Sequence, residues 1–334
     1  MAGGHTRALK ELRHPDAEIF GGKSASLGEL IAGEIPVPPG FAVSSAAYRE
    51  AVREAGAAAG SASRGEAPPL PKALREEIAA GYSALAAAAE DEEPAVAVRS
   101  SALGEDAEGA TFAGQHETYL WVNGADAVCE SVRDCWASLF SDEAVSYRER
   151  MSAEGEMPAM GVTVQRMVDA EISGVMFTCN PVSGDPSTVA VDASWGLGLA
   201  VVGGEVTPDE YRVSKVTMEV LQRRIGPKQI EVIPDPGGSG TVHAEVAAER
   251  QRAACLDDGQ LEALTKLARR VEGHFGGHQD IEWAIERGSG DLFLLQSRPV
   301  TTVPRKDDGR SEKAGRSAME MVMGTFGATG TDRS

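Results

Sequence analysis

Residues 280–299 read DIEWAIERGSGDLFLLQSRP. Two apolar, β-prone runs flank a Gly-Ser-Gly turn, and this pattern predicts a β-hairpin. Because strand side chains alternate between two faces, Asp280 and Glu282 share one face of the first strand. By the same alternation, Gln296 and Arg298 share one face of the second strand. A turn that keeps the strands in register therefore brings Glu282, Gln296 and Arg298 together.

The chemistry of these three side chains suits a bound polyphosphate. Carboxylate and amide oxygens, here from Glu282 and Gln296, are hard ligands of the kind that Mg²⁺ prefers. The guanidinium of Arg298 can bind a phosphate through two parallel hydrogen bonds. An ordinary charged outer face of a sheet explains Glu282 and Arg298 equally well, so the spacing leaves both interpretations open.

The rest of the chain predicts helices interspersed with mostly antiparallel strands, which is typical of the α+β class rather than of a doubly wound parallel sheet. Residues 125–150 have helical periodicity, with four large apolar residues on one side: Val128, Val132, Trp136 and Leu139. At 334 residues and 42% hydrophobic content, the chain is long enough for two or three packed subdomains.

The net charge of −19 argues against nucleic acid or an anionic membrane as the main partner, because both would repel the protein. The N-terminal residues include no apolar segment of signal-peptide length, and the sequence has no apolar run long enough to cross a membrane. These observations predict a cytoplasmic protein that binds any phosphate through local basic residues.

The sequence does not favour a zinc site. Its four cysteines form no CxxC pair. His274, His278 and Glu282 follow one another at intervals of four residues, as zinc ligands on one helix would. However, Gly276 and Gly277 lie between the two histidines and weaken any such helix.

A glycine-lysine motif occupies residues 21–30, GGKSASLGEL. A P-loop needs a glycine five residues before the glycine of its Gly-Lys pair, and that position is Ala17. The P-loop interpretation therefore fails on its spacing. What remains is a predicted flexible Gly21-Gly22 hinge that lets Lys23 move ahead of a helix. The alternative is an ordinary surface lysine beside a turn.

An arginine and a loop of small residues lie in residues 98–115, VRSSALGEDAEGATFAGQ. We expect Arg99 to leave a short strand, and the loop after it to bring backbone and hydroxyl donors close to anionic oxygens. The alternative is a strand-end arginine paired with Glu105 or Asp106.

Residues 164–168, VQRMV, are the third candidate element outside the hairpin. The hypothesis here is that exposed main-chain groups of a hinge-like strand pair with the edge of an adenine beside Met167. The alternative is that Met167, which lies next to valines, belongs to the core.

Five blocks of this sequence occur in the order and approximate spacing of one known domain: GGKSASLGEL, VRSSALGEDAEGATFAGQHETYL, VQRMVDAEISGVMFTCNPVSG, WGLGLAVVGGEVTPDEY and DIEW with LLQSRPVTT. Together they resemble the nucleotide-binding domain of phosphoenolpyruvate synthases. That domain is shared with pyruvate phosphate dikinases, rifampin phosphotransferases and the smaller subunit of phenylphosphate synthases. The resemblance covers residues 15–303, which leaves 1–14 as an N-terminal extension and 304–334 as a mobile tail.

The resemblance implies an ATP-grasp fold of the α+β class, with ATP in the cleft between two lobes and with ATP and Mg²⁺ as cofactors. By position, Lys23 and Arg99 would hold phosphates, Glu282 and Gln296 would ligate Mg²⁺, and Arg298 would stabilise the transferring phosphoryl group. Lys23, Arg99 and Arg298 are thus the expected catalytic residues. The loop expected to cover the phosphates comprises Thr111, Phe112, Ala113, Gly114 and Gln115. The hinge expected behind the adenine comprises Gln165, Arg166, Met167 and Val168.

One departure from the family pattern bears on function. Family members pass the phosphoryl group to a histidine on a swivelling domain, marked by a Gly-rich Thr-Ser-His segment, which this sequence lacks. We therefore expect the ATP-binding catalytic subunit of a split phosphotransferase, working with a separate histidine-bearing protein and a small-molecule acceptor. The alternatives are a stand-alone small-molecule kinase and a non-catalytic nucleotide sensor.

Overall fold

The computed structural model describes residues 4–58, 67–102, 117–140 and 159–300. The chain divides into two compact units. The described residues of the first unit come from Met1–Ala32, Pro38–Met167 and Asp235–Gly240. Those of the second come from Gly33–Val37, Val168–Pro234 and Thr241–Ser334.

The first unit contains a five-stranded sheet in which every neighbouring pair is antiparallel. Its strands are β1 (Thr6–Ala8), β2 (Gly40–Val43), β3 (Val96–Ala102), β4 (Thr118–Val122) and β5 (Met160–Arg166). They lie in the order β1-β2-β5-β3-β4. Its helices are α1 (Ala17–Phe20), α2 (Gly22–Ala32), α3 (Ser45–Ala58), α4 (Lys72–Ala89) and α5 (Ala125–Ala137).

The core of the first unit forms where one face of this sheet meets α3, α4 and α5. Its buried residues include Phe41, Val98 and Val162 from the strands and Tyr48, Ile78 and Trp136 from the helices. The predicted helix over 125–150 is confirmed for Ala125–Ala137, and a short 3₁₀ turn, Ser138–Phe140, follows it. The rest of that prediction lies outside the described residues.

The second unit contains a six-stranded antiparallel sheet and a separate two-stranded hairpin. Its strands are β6 (Ala170–Phe177), β7 (Thr188–Trp195), β8 (Asp209–Ser214), β9 (Val220–Arg224), β10 (Ile230–Pro234), β11 (Thr241–Glu245), β12 (Gln279–Glu286) and β13 (Leu292–Pro299). The large sheet has the order β13-β12-β6-β7-β8-β9, and β10 pairs with β11. The helices are α6 (Leu199–Val202), α7 (Ala248–Arg252) and α8 (Asp258–Phe275).

Local sequence signals account for the ends of α8 and for the turn after β12. The Asp257 side chain accepts a hydrogen bond from the Gln260 N–H group at the start of α8, and Gly276 ends the helix with φ of 72°. Leu261, Leu264 and Val271 are buried on α8, which packs against β8 and β12. Between β12 and β13, Gly288 and Gly290 adopt φ of 82° and 73°, which side chains disfavour.

The predicted α+β class is confirmed, because two largely antiparallel sheets are each combined with helices. The expected N-terminal extension, 1–14, includes β1, which pairs with β2. The domain limits 15–303 stay a prediction, and the tail 304–334 lies outside the described residues. Within the described part of the chain, no helix combines the length and apolarity needed to cross a membrane.

Candidate functional site

The glycine-lysine motif does not form the predicted flexible hinge. Helix α2 begins at Gly22 and so includes Lys23, and Gly21 has φ of 84°. A Cβ atom on Gly21 would lie 2.2 Å from the main-chain oxygen of Ser101 in β3. The physical reason for the glycine is therefore the close approach of two backbones, which immobilises the motif rather than freeing it.

The ammonium group of Lys23 is held against strand β3. The residue is buried, and its Nζ donates a hydrogen bond of 3.0 Å to the main-chain oxygen of Ser100. The next residue, Ser24, shares a hydrogen bond of 2.7 Å with Thr163 in β5 through the two hydroxyl groups. The alternative of an ordinary surface lysine is wrong, and this cation has a defined position.

Arg99 lies in the same part of the first unit as Lys23. It is directly opposite Thr163 in the β3–β5 pair, so the two side chains share one face of the sheet. The expectation that Arg99 leaves its strand is wrong, since β3 continues to Ala102. Lys23 contacts the residue that follows Arg99, and the structure thereby brings the two predicted phosphate-binding cations to one strand.

The predicted phosphate-covering loop, Thr111 to Gln115, lies outside the described residues. So do Glu105 and Asp106, the alternative partners considered for Arg99.

Two main-chain donors of the predicted adenine hinge are already used within the first unit. The Arg166 N–H group donates to the Pro39 oxygen at 2.9 Å, and the Met167 N–H group donates to the Ala95 oxygen at 2.8 Å. The expectation of freely exposed main-chain groups is therefore wrong for these two donors. The physical reason is that backbone N–H groups need hydrogen-bond partners, and neighbouring segments of the first unit supply them here.

The other two hinge residues behave differently. The Gln165 side chain is buried and donates to the Pro38 oxygen at 3.3 Å, so it holds the segment that precedes β2. The chain passes from the first unit to the second between Met167 and Val168. In the described part of the chain, the Val168 N–H group has no hydrogen-bond partner.

The hairpin of the second unit has the register that the sequence predicts. Glu282 of β12 lies directly opposite Gln296 of β13, and Asp280 lies directly opposite Arg298. The register then shifts, since Trp283 lies opposite Leu294, and this bulge follows the Glu282–Gln296 pair. Glu282, Gln296 and Arg298 are therefore brought together on one end of one face.

Arg298 has a partner that the sequence did not assign to it. Its Nε and Nη2 atoms both lie 2.7 Å from Oδ2 of Asp280. Burial raises the pKa of Asp280 and outweighs the opposing effect of the Arg298 charge. Face alternation had placed Asp280 beside the site, but the ion pair needs the cross-strand register as well.

The Glu282–Gln296 pair fits a magnesium ion by its chemistry. Directly opposed side chains in an antiparallel pair have Cβ atoms about 4.5–5.5 Å apart, so one carboxylate and one amide oxygen can contact the same ion. Mg²⁺ commonly takes only one or two protein ligands and fills its remaining positions with water and phosphate oxygens. The described residues hold no group of three or more His, Cys, Asp and Glu side chains that suggests another metal centre.

A second feature that the sequence analysis missed is Asp192 in the middle of β7. It is 3% exposed, and its Oδ2 atom has no hydrogen-bond partner among the described residues. Burial raises its pKa to about 7, with a further increase from Glu210 and an opposing effect of Arg212. Residues 188–195 are mostly apolar, so the segment was interpreted only as a strand. The sequence signal for a functional residue was the presence of an acidic residue inside this apolar run.

Asp209, in the TPDEY segment of residues 207–211, has a structural role. Asp209 accepts hydrogen bonds from the Gly226 and Cys255 N–H groups and from the Tyr211 hydroxyl. It also forms an ion pair with Lys228, and both side chains are fully buried. All contacts of this carboxylate are therefore internal to the second unit.

Comparison with known proteins identifies a family and several relatives of this chain. Residues 17–319 match the family model described as "Pyruvate phosphate dikinase, AMP/ATP-binding domain". A probable phosphoenolpyruvate synthase of Methanothermobacter thermautotrophicus is 40% identical over 88% of this chain and 46% of its own length. The phosphoenolpyruvate synthase of Pyrococcus furiosus is 36% identical over 96% of this chain and 46% of its own length.

The chain is shorter than these relatives. A probable phosphoenolpyruvate synthase of Methanocaldococcus jannaschii is 38% identical over 91% of this chain but only 27% of its own length. The chain therefore spans less than half the length of the three relatives. Among solved structures, D-alanyl-alanine synthetase A from Vibrio cholerae aligns over 81% of this chain and 52% of that chain, with 12% identity and a TM-score of 0.32.

Proposed function

The chain belongs to the pyruvate phosphate dikinase AMP/ATP-binding domain family, and from that membership we propose that it binds ATP with Mg²⁺ and catalyses ATP-dependent phosphotransfer. In this proposal Lys23 and Arg99 bind phosphate oxygens, because both cations lie on strand β3 or against it. Glu282 and Gln296 ligate Mg²⁺, and Arg298 stabilises the charge that develops on the transferring group.

The nucleotide base is assigned to the segment Gln165–Val168. The N–H groups of Arg166 and Met167 already have protein partners, so the main-chain donor that we assign to the adenine edge is that of Val168. The loop Thr111–Gln115 is proposed to cover the phosphates, which is the role of its counterpart in the family that the sequence resembles.

The acceptor is proposed to be a histidine on a separate, swivelling protein, from which a small molecule then receives the phosphoryl group. ATP would yield AMP and orthophosphate in this reaction, since the histidine would first take the pyrophosphoryl group and water would then hydrolyse its P–O–P bond, leaving phosphohistidine. One fact supports the involvement of further domains in the reaction: the relatives are more than twice as long as the matched region.

The register of the β12–β13 hairpin is the single observation that carries the proposal. It places a carboxylate opposite an amide oxygen, with an arginine two residues further along the return strand. Mg²⁺ bound to a polyphosphate requires oxygen ligands and a neighbouring cation, and this arrangement supplies both.

The test measures the melting temperature with ATP, with Mg²⁺, and with both. Wild-type protein should be stabilised clearly only when both are present, because a ligand that binds the folded state and not the unfolded chain stabilises the folded state. Glu282→Ala should lose most of this shift. Glu286→Ala, on the same strand but near the turn, is the matched control and should keep it. Equal shifts for wild type and Glu282→Ala contradict the magnesium site.

A further inference from the structure

A row of six directly opposed residues crosses the large sheet of the second unit. The register pairs these residues in succession: Gln296, Glu282, Val175, Asp192, Glu210 and Arg224. All six share one face, because directly opposed residues of antiparallel strands point to the same side. The proposed magnesium ligands and Asp192 therefore lie on the same face of the same sheet.

Strand β7 carries unusual polar groups on this face. Besides Oδ2 of Asp192, the hydroxyls of Ser194 and Thr188 are buried and have no hydrogen-bond partner among the described residues. Buried polar atoms in folded proteins are nearly always hydrogen-bonded, because leaving one unpaired destabilises the fold. The opposite face of β7 carries Val189 and Val191, which pack without that cost. Packing alone therefore does not explain Asp192.

The position of Asp192 excludes the proposed magnesium ion as its partner. Asp192 is two strands away from Glu282, which corresponds to on the order of 10 Å at the usual strand spacing. A metal ligand must lie about 2 Å from Mg²⁺. Val175 lies between them, and its side chain has no polar atom that could connect the two carboxylates.

The charges around Asp192 limit the kind of group that can form a hydrogen bond with its carboxylate. Glu210 lies directly opposite Asp192, so a phosphate placed here would face two carboxylates. Glu210 is itself paired with Arg224 at 3.3 Å, which makes it a poor ligand for a second cation. The remaining partner is a neutral group that donates hydrogen bonds, such as a hydroxyl, and Ser194 on the same face can add a further hydrogen bond.

We propose that Asp192 accepts hydrogen bonds from the ribose hydroxyls of the bound nucleotide, and that this contact makes the domain select ribonucleotides over deoxyribonucleotides. The inference deepens the proposed function and rests on it. A nucleotide whose phosphates share Mg²⁺ with Glu282 and Gln296 extends its ribose away from that pair, and Asp192 lies further along the same row. Ribose offers two neighbouring hydroxyls, which suit the two oxygens of one carboxylate.

The experiment measures the dissociation constants of ATP, 2′-deoxy-ATP and 3′-deoxy-ATP, each with Mg²⁺. Wild-type protein should bind ATP on the order of tenfold or more tightly than at least one deoxy analogue, since the missing hydroxyl leaves a buried acceptor without its donor. Asp192→Ala should weaken ATP binding on the order of tenfold. It should change the affinity for the weaker-binding deoxy analogue little. The preference for ATP should then fall to nearly one.

Two further variants keep the test decisive. Asp192→Asn keeps the shape of the side chain and should therefore fold even if Asp192→Ala does not. It should lose most of the preference for ATP over the deoxy analogue. Thr188→Val removes an unpartnered hydroxyl from the same strand and face, four residues away, and should retain the wild-type preference.

The possible failures are distinguishable. Wild-type protein that binds ATP with Mg²⁺ but shows no preference for ribose overturns this inference and leaves the proposed function standing. The same conclusion follows if Asp192→Ala and Asp192→Asn both retain the preference. Wild-type protein that binds none of the nucleotides overturns both proposals.

Discussion

Gly21 lies so close to the backbone of Ser101 that a Cβ atom at position 21 would be 2.2 Å from the Ser101 main-chain oxygen. This contact fixes the start of helix α2, and with it Lys23, against strand β3. The role of the glycine is thus to allow close packing, and this interpretation predicts a measurable cost for any side chain at position 21.

We expect Gly21→Ala to lower the free energy of unfolding by on the order of 2–4 kcal/mol, because the new methyl group is strained by the positive φ and also clashes with β3. Urea unfolding measures the change. Gly273→Ala is the control: it lies in α8 with no atom within 4 Å of the added Cβ, and should stabilise by about 0.5–1 kcal/mol. An unchanged stability of Gly21→Ala would instead favour a flexible hinge.

The Asp280–Arg298 ion pair predicts separate effects on rate and on stability. Arg298→Ala should lower the phosphotransfer rate by on the order of a hundredfold with little change in ATP affinity, because the arginine acts on charge that develops during transfer. It should also destabilise the fold by about 1–2 kcal/mol, since Asp280 is left buried without its cation while Arg298 itself is partly exposed.

The double variant Arg298→Ala with Asp280→Asn separates the two effects. It should recover most of the lost stability, because no buried carboxylate is left unpaired, but none of the lost rate. Steady-state kinetics and urea unfolding on the three proteins test this pattern. Recovery of the rate in the double variant would show that Arg298 contributes only through the fold.

The identity of the phosphoryl acceptor predicts the reaction products. Incubated with labelled ATP, Mg²⁺ and a candidate histidine-bearing protein, the chain should form AMP and orthophosphate while the partner becomes acid-labile phosphohistidine. Without the partner it should hold ATP nearly unreacted, because water is a poorly positioned substitute nucleophile. Formation of ADP with a small acceptor and no second protein favours a stand-alone kinase. Tight binding without turnover under either condition favours a nucleotide sensor.

Asp192 predicts an unusual dependence of stability on pH. Its pKa is about 7 in the folded protein, against an ordinary value of 3.8. Because the folded state binds this proton more tightly than the unfolded chain does, the stabilising contribution is present below about pH 4 and is lost as the pH rises through about 7. The charged form is the destabilising one.

We therefore expect Asp192→Asn to be more stable than wild type at pH 8. The difference in free energy of unfolding between the two proteins should be larger at pH 8 than at pH 5 by on the order of 2 kcal/mol. Urea unfolding of both proteins at the two pH values measures this. A stability gain in a variant that loses nucleotide selectivity is typical of a residue kept for binding rather than for folding. A difference that does not change with pH contradicts the buried, readily protonated carboxyl group.

The buried Asp209–Lys228 pair predicts a large effect from a residue with no role in the nucleotide site. Asp209→Ala should lower the free energy of unfolding by about 3–5 kcal/mol, because Lys228 is left as an uncompensated buried charge. Glu262→Ala, which breaks the exposed pair with Lys266, is the control and should change stability by less than about 1 kcal/mol. Similar small effects for both variants would contradict a buried charge pair.

The sequence by itself determined the α+β class, the ends of α8 and the hairpin that pairs Glu282 with Gln296. These features depend on short-range physics. Alternation along a strand, a glycine turn and a capping residue act between groups that are close in the chain, so their consequences can be worked out from spacing. The resemblance to a family rested on motifs of the same local kind.

Only the tertiary structure decided the burial of Lys23 against β3, the use of Arg166 and Met167 donors by neighbouring segments, and the isolation of Asp192. Each depends on strands that are distant in sequence but adjacent in a sheet. The neighbours of Asp192 come from β6 and β8, and its relation to Glu282 passes through an intervening strand. Whether a polar group finds a partner depends on all the elements packed around it, and no local pattern contains that information.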